Sequence, residues 1–221
     1  MSEHRQSKAS EPELVTEADE KARLEARNAL HQFDAVIQLV EQWTSADYPK
    51  FRLRSSVVLQ LHRLALEGLS AYAGTFRPAD IEITGSHHKP IAAHLVPSAI
   101  DDLCDYINDN WNRSALHLAS YALWRLNWIH AFTDGNGRTS RALSYLILCV
   151  RLGYRLPGTK TIPELIAEDK DPYYKALESA DSGDFEPLEK LMGALLAKQL
   201  YDIHQAATSN GKTDSSDRKF H

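Results

Sequence analysis

A histidine, an aspartate, two glycines and two arginines lie within twelve residues in the segment IHAFTDGNGRTSRAL, 129–143, which sits between largely apolar stretches. His130 has a side chain that titrates near neutrality, so it could act as a general base for an incoming hydroxyl group. Arg138 and Arg141 carry guanidinium groups that can make forked contacts with phosphate oxygens. These residue types predict a phosphate site with a base beside it.

The same segment is predicted to join two buried helices. Residues 131–136 form the predicted loop and Gly137 opens the next helix, whose N-terminus would favour an anion through its backbone N–H groups and its dipole. Gly135 and Gly137 allow the backbone to approach a ligand closely. Asp134 would repel a phosphate unless it holds a divalent cation, and Mg²⁺ commonly bridges a carboxylate and phosphates. The pattern therefore predicts a nucleotide or polyphosphate site.

Other phosphate and metal motifs do not account for this segment. The sequence has neither a GxxxxGK[ST] phosphate loop after a strand nor a GxGxxG dinucleotide fingerprint, and DGNGR does not extend into an EF-hand. A plain surface turn with a structural histidine is the alternative interpretation. The combination of a base, a carboxylate, glycines and arginines between core helices favours the functional interpretation.

Composition narrows the class of protein. The 221 residues are 43% hydrophobic and 25% charged, which is ordinary for a globular protein. The net charge of -5 argues against a general nucleic-acid binder, which needs a basic face. Cys104 and Cys149 lie in apolar segments without metal-ligand spacing, which suits a reducing compartment. With no apolar signal region and no stretch able to span a bilayer, we expect a cytoplasmic protein with no nucleic-acid or membrane partner.

Helical periodicity runs through most of the chain. A long amphipathic helix is predicted over 16–44, and the segments 115–129 and 142–154 are apolar nearly all round, as is typical of helices at the centre of a bundle. We predict a single domain over 16–206, with disorder in 1–15 and 207–221.

A strand signal is confined to RPADIEITGSHHKP, where Ile81 and Ile83 alternate with polar residues before a turn at Gly85. The predicted fold is therefore all-α with one small β-hairpin.

The segment HAFTDGNGR followed by TSR closely resembles the Fic motif, usually HPFx[D/E]GNGRxxR. The flanking segments LHRLALEGL, AGTFRPADIEITGSHHKP, RALSYLILCVRLGY and DPYYKAL resemble other parts of the Fic domain, so the resemblance covers about residues 55–200. It implies the Fic helical bundle with a β-hairpin flap. It also implies transfer of AMP from ATP to a hydroxyl side chain of a target protein, with release of pyrophosphate.

The resemblance implies a role for each matching residue. His130 resembles the base that deprotonates a Ser, Thr or Tyr of the target, Asp134 the ligand of Mg²⁺, and Phe132 the anchor of the loop. By the same resemblance, Gly135, Asn136 and Gly137 would form the anion hole, Arg138 and Arg141 would hold the phosphates, and Ile83, Thr84 and Gly85 of the flap would position the target backbone by strand addition.

Two departures from the family pattern bear on regulation and chemistry. Ala131 stands where proline is usual, which removes a rigid residue but no reactive group. Neither TEADEK, 16–21, nor SGDFEP, 182–187, fits the inhibitory signature [S/T]xxxE[G/N] that many members carry. We therefore expect regulation in trans, by an inhibitory or antitoxin-like partner, or none.

The sequence leaves alternative functions open. The fold could use another nucleotide donor or transfer a phosphoryl group, as the Doc branch does, although Gly135 and Gly137 favour AMP transfer. It could also serve as a regulatory module that binds a nucleotide without transfer. His130 favours an enzyme, since a pure binding module does not need the base.

Overall fold

The computed structural model describes residues 6–8, 11–12, 14–47, 50–158 and 160–210. The chain divides into two compact units, Met1–Arg155 and Leu156–His221. The segment with the candidate chemistry lies in the first unit.

The first unit is a helical bundle. In chain order its helices are α1 (Ala18–Thr44), α2 (Ser55–Leu66), α3 (Val96–Asp109), α4 (Ala115–Ile129) and α5 (Asn136–Leu152), and a short 3₁₀ turn, Ala93–Leu95, leads into α3. Helix α5 packs against α4, α1 and α2, so it lies at the centre of the unit. This arrangement confirms the predicted all-α class.

Helices α4 and α5 are buried because their sequences are apolar on almost every side. Residues 142–150 of α5 are all buried, and Ser144 Oγ donates to the carbonyl oxygen of Ala119 in α4 at 2.8 Å, which satisfies a hydroxyl inside the core. Helix α5 begins at Asn136, six residues before its apolar stretch, because the polar first turn carries the candidate site. The two central helices therefore fix both ends of the loop between them.

Helix α1 is tied to α2 by buried polar side chains as well as by apolar packing. Gln32 Nε2 donates to the carbonyl oxygen of Leu61 at 2.9 Å, and Asn28 Nδ2 donates to that of Glu67 at 2.8 Å. Both side chains are buried, and their bonds occupy carbonyl groups at and near the end of α2. The long N-terminal helix is thus an integral part of the first unit.

The strand predicted at the flap is present, but its partner differs from the prediction. Strand β2 is Glu82–Thr84, whereas residues 86–90 are not a strand, so the second arm of the predicted hairpin is absent. The partner is strand β1, Gln6–Lys8, which pairs with β2 in the antiparallel sense. The prediction of disorder is therefore wrong for residues 6–8, whose sequence has no periodicity of its own. The edge of β2 supplies the backbone hydrogen bonds that order them.

The second unit contains α6 (Ile162–Glu168), α7 (Asp171–Asp181) and α8 (Glu186–Asn210), and α8 packs against both of the others. Buried Gln199 of α8 donates to the carbonyl oxygen of Pro157 and accepts from the backbone N–H of Ile162, both at 2.9 Å. Residues 207–210, predicted to be disordered, continue α8, while the rest of the predicted tail lies outside the described residues. Of the helices described, none is both long and apolar enough to cross a membrane.

Candidate active site

His130 sits directly after the last residue of α4 in an uncommon backbone conformation. Its φ and ψ angles are 54° and 57°, and it is the one non-glycine residue with positive φ in the described part of the chain. Such a conformation costs about 1–3 kcal/mol unless its surroundings hold it, and it is a frequent feature of functional sites. The left-handed turn ends α4 and sends the chain into the loop.

Arg77 holds the backbone on both sides of that turn. Its Nε donates to the carbonyl oxygen of His130 at 2.9 Å, and its backbone N–H donates to that of Ala131, also at 2.9 Å. The other guanidinium nitrogens donate to the carbonyl oxygens of Ala79, at 2.9 Å, and Ile91, which flank β2 along the chain. The Arg77 side chain is fully buried, so one cation links the backbone at His130 to the base of the flap.

A backbone acceptor orients the ring of His130. Its Nδ1 lies 3.2 Å from the carbonyl oxygen of Asn127, which can only accept, so Nδ1 carries the proton and Nε2 is the basic nitrogen of the neutral ring. Burial lowers the pKa of His130 to about 4, and the charges of His88 and Arg77 act in the same direction. The ring is therefore neutral at physiological pH and able to accept a proton at Nε2.

The loop after His130 is clamped by the side chain of Asn136. The Asn136 amide accepts from the backbone N–H of Phe132 at 3.0 Å and donates to the carbonyl oxygen of the same residue at 2.7 Å. Phe132 is fully buried, as the anchoring role requires. The Asn136 side chain therefore holds the loop closed on Phe132, while its backbone N–H lies at the first position of α5.

His62 of α2 also holds this loop in place. The backbone N–H of Gly74 donates to Nδ1 of His62 at 3.0 Å, which places the ring proton on Nε2, and Nε2 donates to the carbonyl oxygen of Asp134 at 3.1 Å. The ring stacks on Phe132, with 3.7 Å between ring centroids and 6° between the planes. Burial lowers the pKa of His62 to about 4, so the support is a neutral ring.

The N-terminus of α5 combines close backbone packing with a cation. Gly135 is its N-cap, with φ of 73°, and a Cβ atom there would lie 2.3 Å from Cδ2 of Leu66. A Cβ atom on Gly137 would lie 3.1 Å from Nη1 of Arg141, so this guanidinium group extends over the first turn of the helix. Glycine at these positions therefore permits the close approach of Leu66 to Gly135 and of Arg141 to Gly137.

Arg138 and Asp134 form an ion pair at the same end of α5. Nη2 of Arg138 donates to Oδ2 of Asp134 at 2.7 Å, while Oδ1 accepts from the backbone N–H of Gly135 at 2.6 Å. Nη1 of Arg138 also lies 3.8 Å from a carboxylate oxygen of Glu25 in α1. The Asp134 side chain is 65% exposed and the Arg138 side chain 29% exposed, so both can reach solvent or a ligand.

The flap residues precede α4 and the loop in the chain. Ile83 and Thr84 are half-buried and Gly85 is exposed, with φ of 71°. His88, which sequence analysis did not assign, donates from Nε2 to the carbonyl oxygen of Trp128 at 2.7 Å, two residues before His130. The flap is thus connected to the end of α4 through His88 as well as through Arg77.

Comparison with known proteins identifies this arrangement. Residues 52–148 match the model of the Fic/DOC family, and this stretch contains α2 to α4, most of α5, the flap and the loop. Residues 52–148 form a Fic/DOC domain.

Curated relatives agree with this assignment of the Fic domain. "Protein adenylyltransferase Fic" of Drosophila willistoni is 31% identical over 165 residues, which cover 73% of this chain and 31% of that protein. "Protein adenylyltransferase fic-1" of Caenorhabditis elegans is 30% identical over 135 residues, 59% of this chain and 24% of that protein. The chain therefore spans about a third or less of the length of these curated relatives.

The fold is similar to that of solved Fic proteins. Fic-1 from C. elegans, residues 134–508, superposes with a TM-score of 0.64 at 24% identity, covering 82% of this chain and 52% of that chain. A Fic domain containing signalling protein from Bacteroides thetaiotaomicron gives a TM-score of 0.62 at 21% identity, covering 80% and 71% of the two chains. At these identities the likeness shows the fold alone.

The Fic domain brings the predicted motif residues into one place, from His130 through Asp134 to Arg141. Four supporting residues were not assigned supporting roles from the sequence: His62, Arg77, His88 and Glu11, whose carboxylate accepts a hydrogen bond from Oγ1 of Thr133 in the loop. The first three lie in LHRLALEGL and AGTFRPADIEITGSHHKP, segments that carried the resemblance, but their partners are backbone atoms that no spacing pattern specifies. Glu11 lies in a segment predicted to be disordered.

Asp134 is the residue of the Fic domain that could hold a magnesium ion. Within the described residues, no group of three or more acidic, histidine or cysteine side chains could form a protein cage for a metal. Mg²⁺, however, is usually held by one or two carboxylates together with substrate phosphates and water. The exposed carboxylate of Asp134 beside the N-terminus of α5 suits that manner of binding.

Proposed function

We propose that this Fic domain transfers AMP from ATP to a Ser, Thr or Tyr hydroxyl group of a target protein and releases pyrophosphate. The observation that carries the proposal is the 3.2 Å contact between Nδ1 of His130 and the carbonyl oxygen of Asn127, which assigns the ring proton to Nδ1 and leaves Nε2 as the basic nitrogen. This nitrogen belongs to the residue where α4 ends, six residues before the helix N-terminus at Asn136. A base positioned beside an anion site is the arrangement that transfer to a hydroxyl group requires.

The phosphate groups of ATP would be held at the first turn of α5. Arg141 extends over Gly137, and Arg138 lies one residue further along the same turn. Their guanidinium groups, together with the backbone N–H groups at the helix N-terminus, provide donors that stabilise negative charge on the phosphates. Asp134 would hold Mg²⁺, which supplies further positive charge to those phosphates when bound.

The proposed reaction is a direct displacement. The target hydroxyl oxygen attacks the α-phosphorus, the bond between that phosphorus and the bridging oxygen to the β-phosphate breaks, and pyrophosphate leaves. The hydroxyl proton passes to Nε2 of His130. Since the left-handed backbone and buried ring of His130 are held before substrates arrive, the catalytic contribution is mainly positioning and electrostatic stabilisation.

Transfer of the α-phosphate label of ATP tests this proposal. The purified chain is incubated with Mg²⁺, cell lysate and ATP labelled at either the α or the γ phosphate, and labelled proteins are resolved on a gel. We expect label on protein from α-labelled ATP alone. Label from the γ position would instead indicate phosphoryl transfer, and ATP binding without any label would indicate a regulatory module.

The decisive variant is His130→Asn, because asparagine tolerates a left-handed backbone better than alanine does. We expect labelling to fall by about 10²- to 10⁴-fold, the usual contribution of a general base, while the dissociation constant for ATP stays nearly unchanged. The matched control is His31→Asn on the exposed surface of α1, which should label normally. Normal labelling by His130→Asn would overturn the base assignment.

A further inference from the structure

One edge of β2, the flap strand that by the family resemblance would position the target backbone, is covered by the chain's own N-terminal segment. Gln6 lies opposite Thr84, Ser7 opposite Ile83 and Lys8 opposite Glu82, in an antiparallel ladder. In the described part of the chain, β1 and β2 are the whole of this sheet. An extended target that adds a strand at this edge of β2 would need the place that β1 occupies.

A second anchor holds the segment a few residues further along. Glu11 accepts hydrogen bonds at Oε1 from the Oγ of Ser70 and from the backbone N–H of Ala71, the latter at 2.7 Å. Its Oε2 accepts from Oγ1 of Thr133 at 2.8 Å. Thr133 and Ser70 are both buried, and Thr133 immediately precedes Asp134, so this anchor reaches the catalytic loop itself.

The two anchors explain how so short a strand can stay in place. An isolated pair of three-residue strands is marginal in water, because it orders the backbone for few hydrogen bonds. The Glu11 carboxylate, which accepts from three donors, attaches the segment at a second point. Because the segment is covalently tethered, it competes with a free peptide at an effective concentration of about millimolar. A free peptide must overcome that advantage to bind the same edge.

We propose that residues 6–8, anchored further by Glu11, are an intramolecular occupant of this edge of β2, which excludes an extended target segment from the edge until they are displaced. This proposal rests on the proposed function together with the target-positioning role that the family resemblance implies for the flap. The apparent affinity of the edge for a peptide is then reduced by the fraction of molecules in which the segment is docked. Weakening the attachment of the segment should make this edge of β2 available to a peptide, whereas cross-linking the segment to β2 should block the edge.

The docking itself can be tested by cross-linking in the full chain. Directly opposed Cα atoms in an antiparallel ladder are about 4.5–5.5 Å apart, a separation that a disulfide spans. The double variant Ser7→Cys with Ile83→Cys should therefore form an internal disulfide under mild oxidation, while the native Cys104 and Cys149 are buried. The control, Ser7→Cys with Thr84→Cys, is one residue out of register and places the two cysteines on opposite faces.

Exclusion can be tested by peptide binding without any catalysis. The probe is a fluorescein-labelled synthetic peptide with the sequence of residues 1–12, MSEHRQSKASEP, measured by fluorescence anisotropy. We expect Glu11→Ala, which removes the second anchor, to bind the probe at least ten-fold more tightly than the native chain. The control Glu17→Ala changes an exposed glutamate whose side chain caps no helix, and it should behave as the native chain does.

The disulfide-linked variant also tests whether the docked segment prevents the labelling of targets. The oxidised Ser7→Cys, Ile83→Cys chain should not bind the probe and should label lysate proteins from α-labelled ATP at less than a tenth of its rate after reduction, with unchanged ATP affinity. The proposal is overturned if the two cysteine pairs cross-link equally, if Glu11→Ala and the native chain bind the probe equally, or if the locked chain labels targets fully. Absence of labelling in every form would refute the proposed function, whereas cross-linking and probe binding would still decide the self-docking.

Discussion

The substitution Gly135→Ala tests the packing of the loop after His130 against α2. The left-handed φ of 73° at this position costs an L-residue about 1–2 kcal/mol by itself. The new Cβ would also lie 2.3 Å from Cδ2 of Leu66, a side chain that is 1% exposed and enclosed by the core. Overpacking of this kind costs about 1–3 kcal/mol more, so the expected total is about 2–5 kcal/mol.

Gly68→Ala is a closely matched control for the backbone contribution. Gly68 has φ of 75° and no heavy atom within 4 Å of the position that a methyl group would take, so alanine there meets the same backbone cost without the overlap. In urea unfolding at pH 7.5, the free energy of unfolding of Gly135→Ala should be lower than that of Gly68→Ala by about 1–3 kcal/mol, which is the cost of the overpacking alone. Equal losses of stability would refute the argument that contact with Leu66, rather than glycine's backbone freedom, requires glycine at position 135.

A double-mutant cycle identifies Leu66 as the colliding side chain. Leu66→Ala alone should cost about 2–5 kcal/mol, because it leaves a cavity in the core. In the double variant the two changes partly compensate, so we expect a loss smaller than the sum of the single losses by about 1 kcal/mol or more. Strict additivity would mean that the added methyl group is accommodated by another movement of the loop.

Three further predictions follow from the groups that hold the loop. Arg77→Lys keeps the charge but replaces a guanidinium group that donates to three carbonyl oxygens. We expect the free energy of unfolding, measured with urea, to fall by about 3 kcal/mol. We also expect kcat to fall by a larger factor than KM for ATP changes. Since the pKa of His130 is lowered to about 4, kcat/KM for AMP transfer should stay level as the pH falls from 8 to 5, and a midpoint near 6.5 in that profile would contradict the assigned environment. Since the pKa of His62 is lowered from 6.5 to about 4, the unfolded chain binds one more proton than the folded chain between these pH values. The free energy of unfolding should therefore fall by about 2 kcal/mol as the pH falls from 6.5 to 5. His62→Phe should remove this part of the pH dependence measured by urea unfolding.

The candidate site was predictable where side-chain types carry the chemistry. Charged residues and glycines between two wholly apolar stretches are costly unless they bind something, and this contrast located the segment from His130 to Arg141. The end of α4 at Ile129 was also predicted correctly, because apolar residues continue up to that point. The start of α5 at Asn136 was less clear, since its first turn is polar and its helical character comes from the loop clamp and not from periodicity.

The residues that support the loop were harder to predict because they bind backbone atoms. The buried guanidinium of Arg77 donates to three carbonyl groups, and His62 joins the N–H of Gly74 to the carbonyl oxygen of Asp134. Every residue has a carbonyl group, so no particular residue type at a fixed spacing marks the acceptor. An arginine or histidine in such a role has the same sequence signature as one on the surface.

The pairing of β1 with β2 shows the same limit over a longer distance. A ladder of backbone hydrogen bonds between residues 6–8 and 82–84 depends on two extended segments meeting, and polar residues such as Gln6 and Lys8 neither favour nor forbid it. The attachment acquires specificity from Glu11, whose carboxylate needs the donors of Ser70, Ala71 and Thr133 in one place. Those donors meet only in the folded domain, so the N-terminal segment has a defined structure that its own sequence does not encode locally. Changes in the flap or the loop should therefore alter the order of the N-terminus as strongly as changes within it.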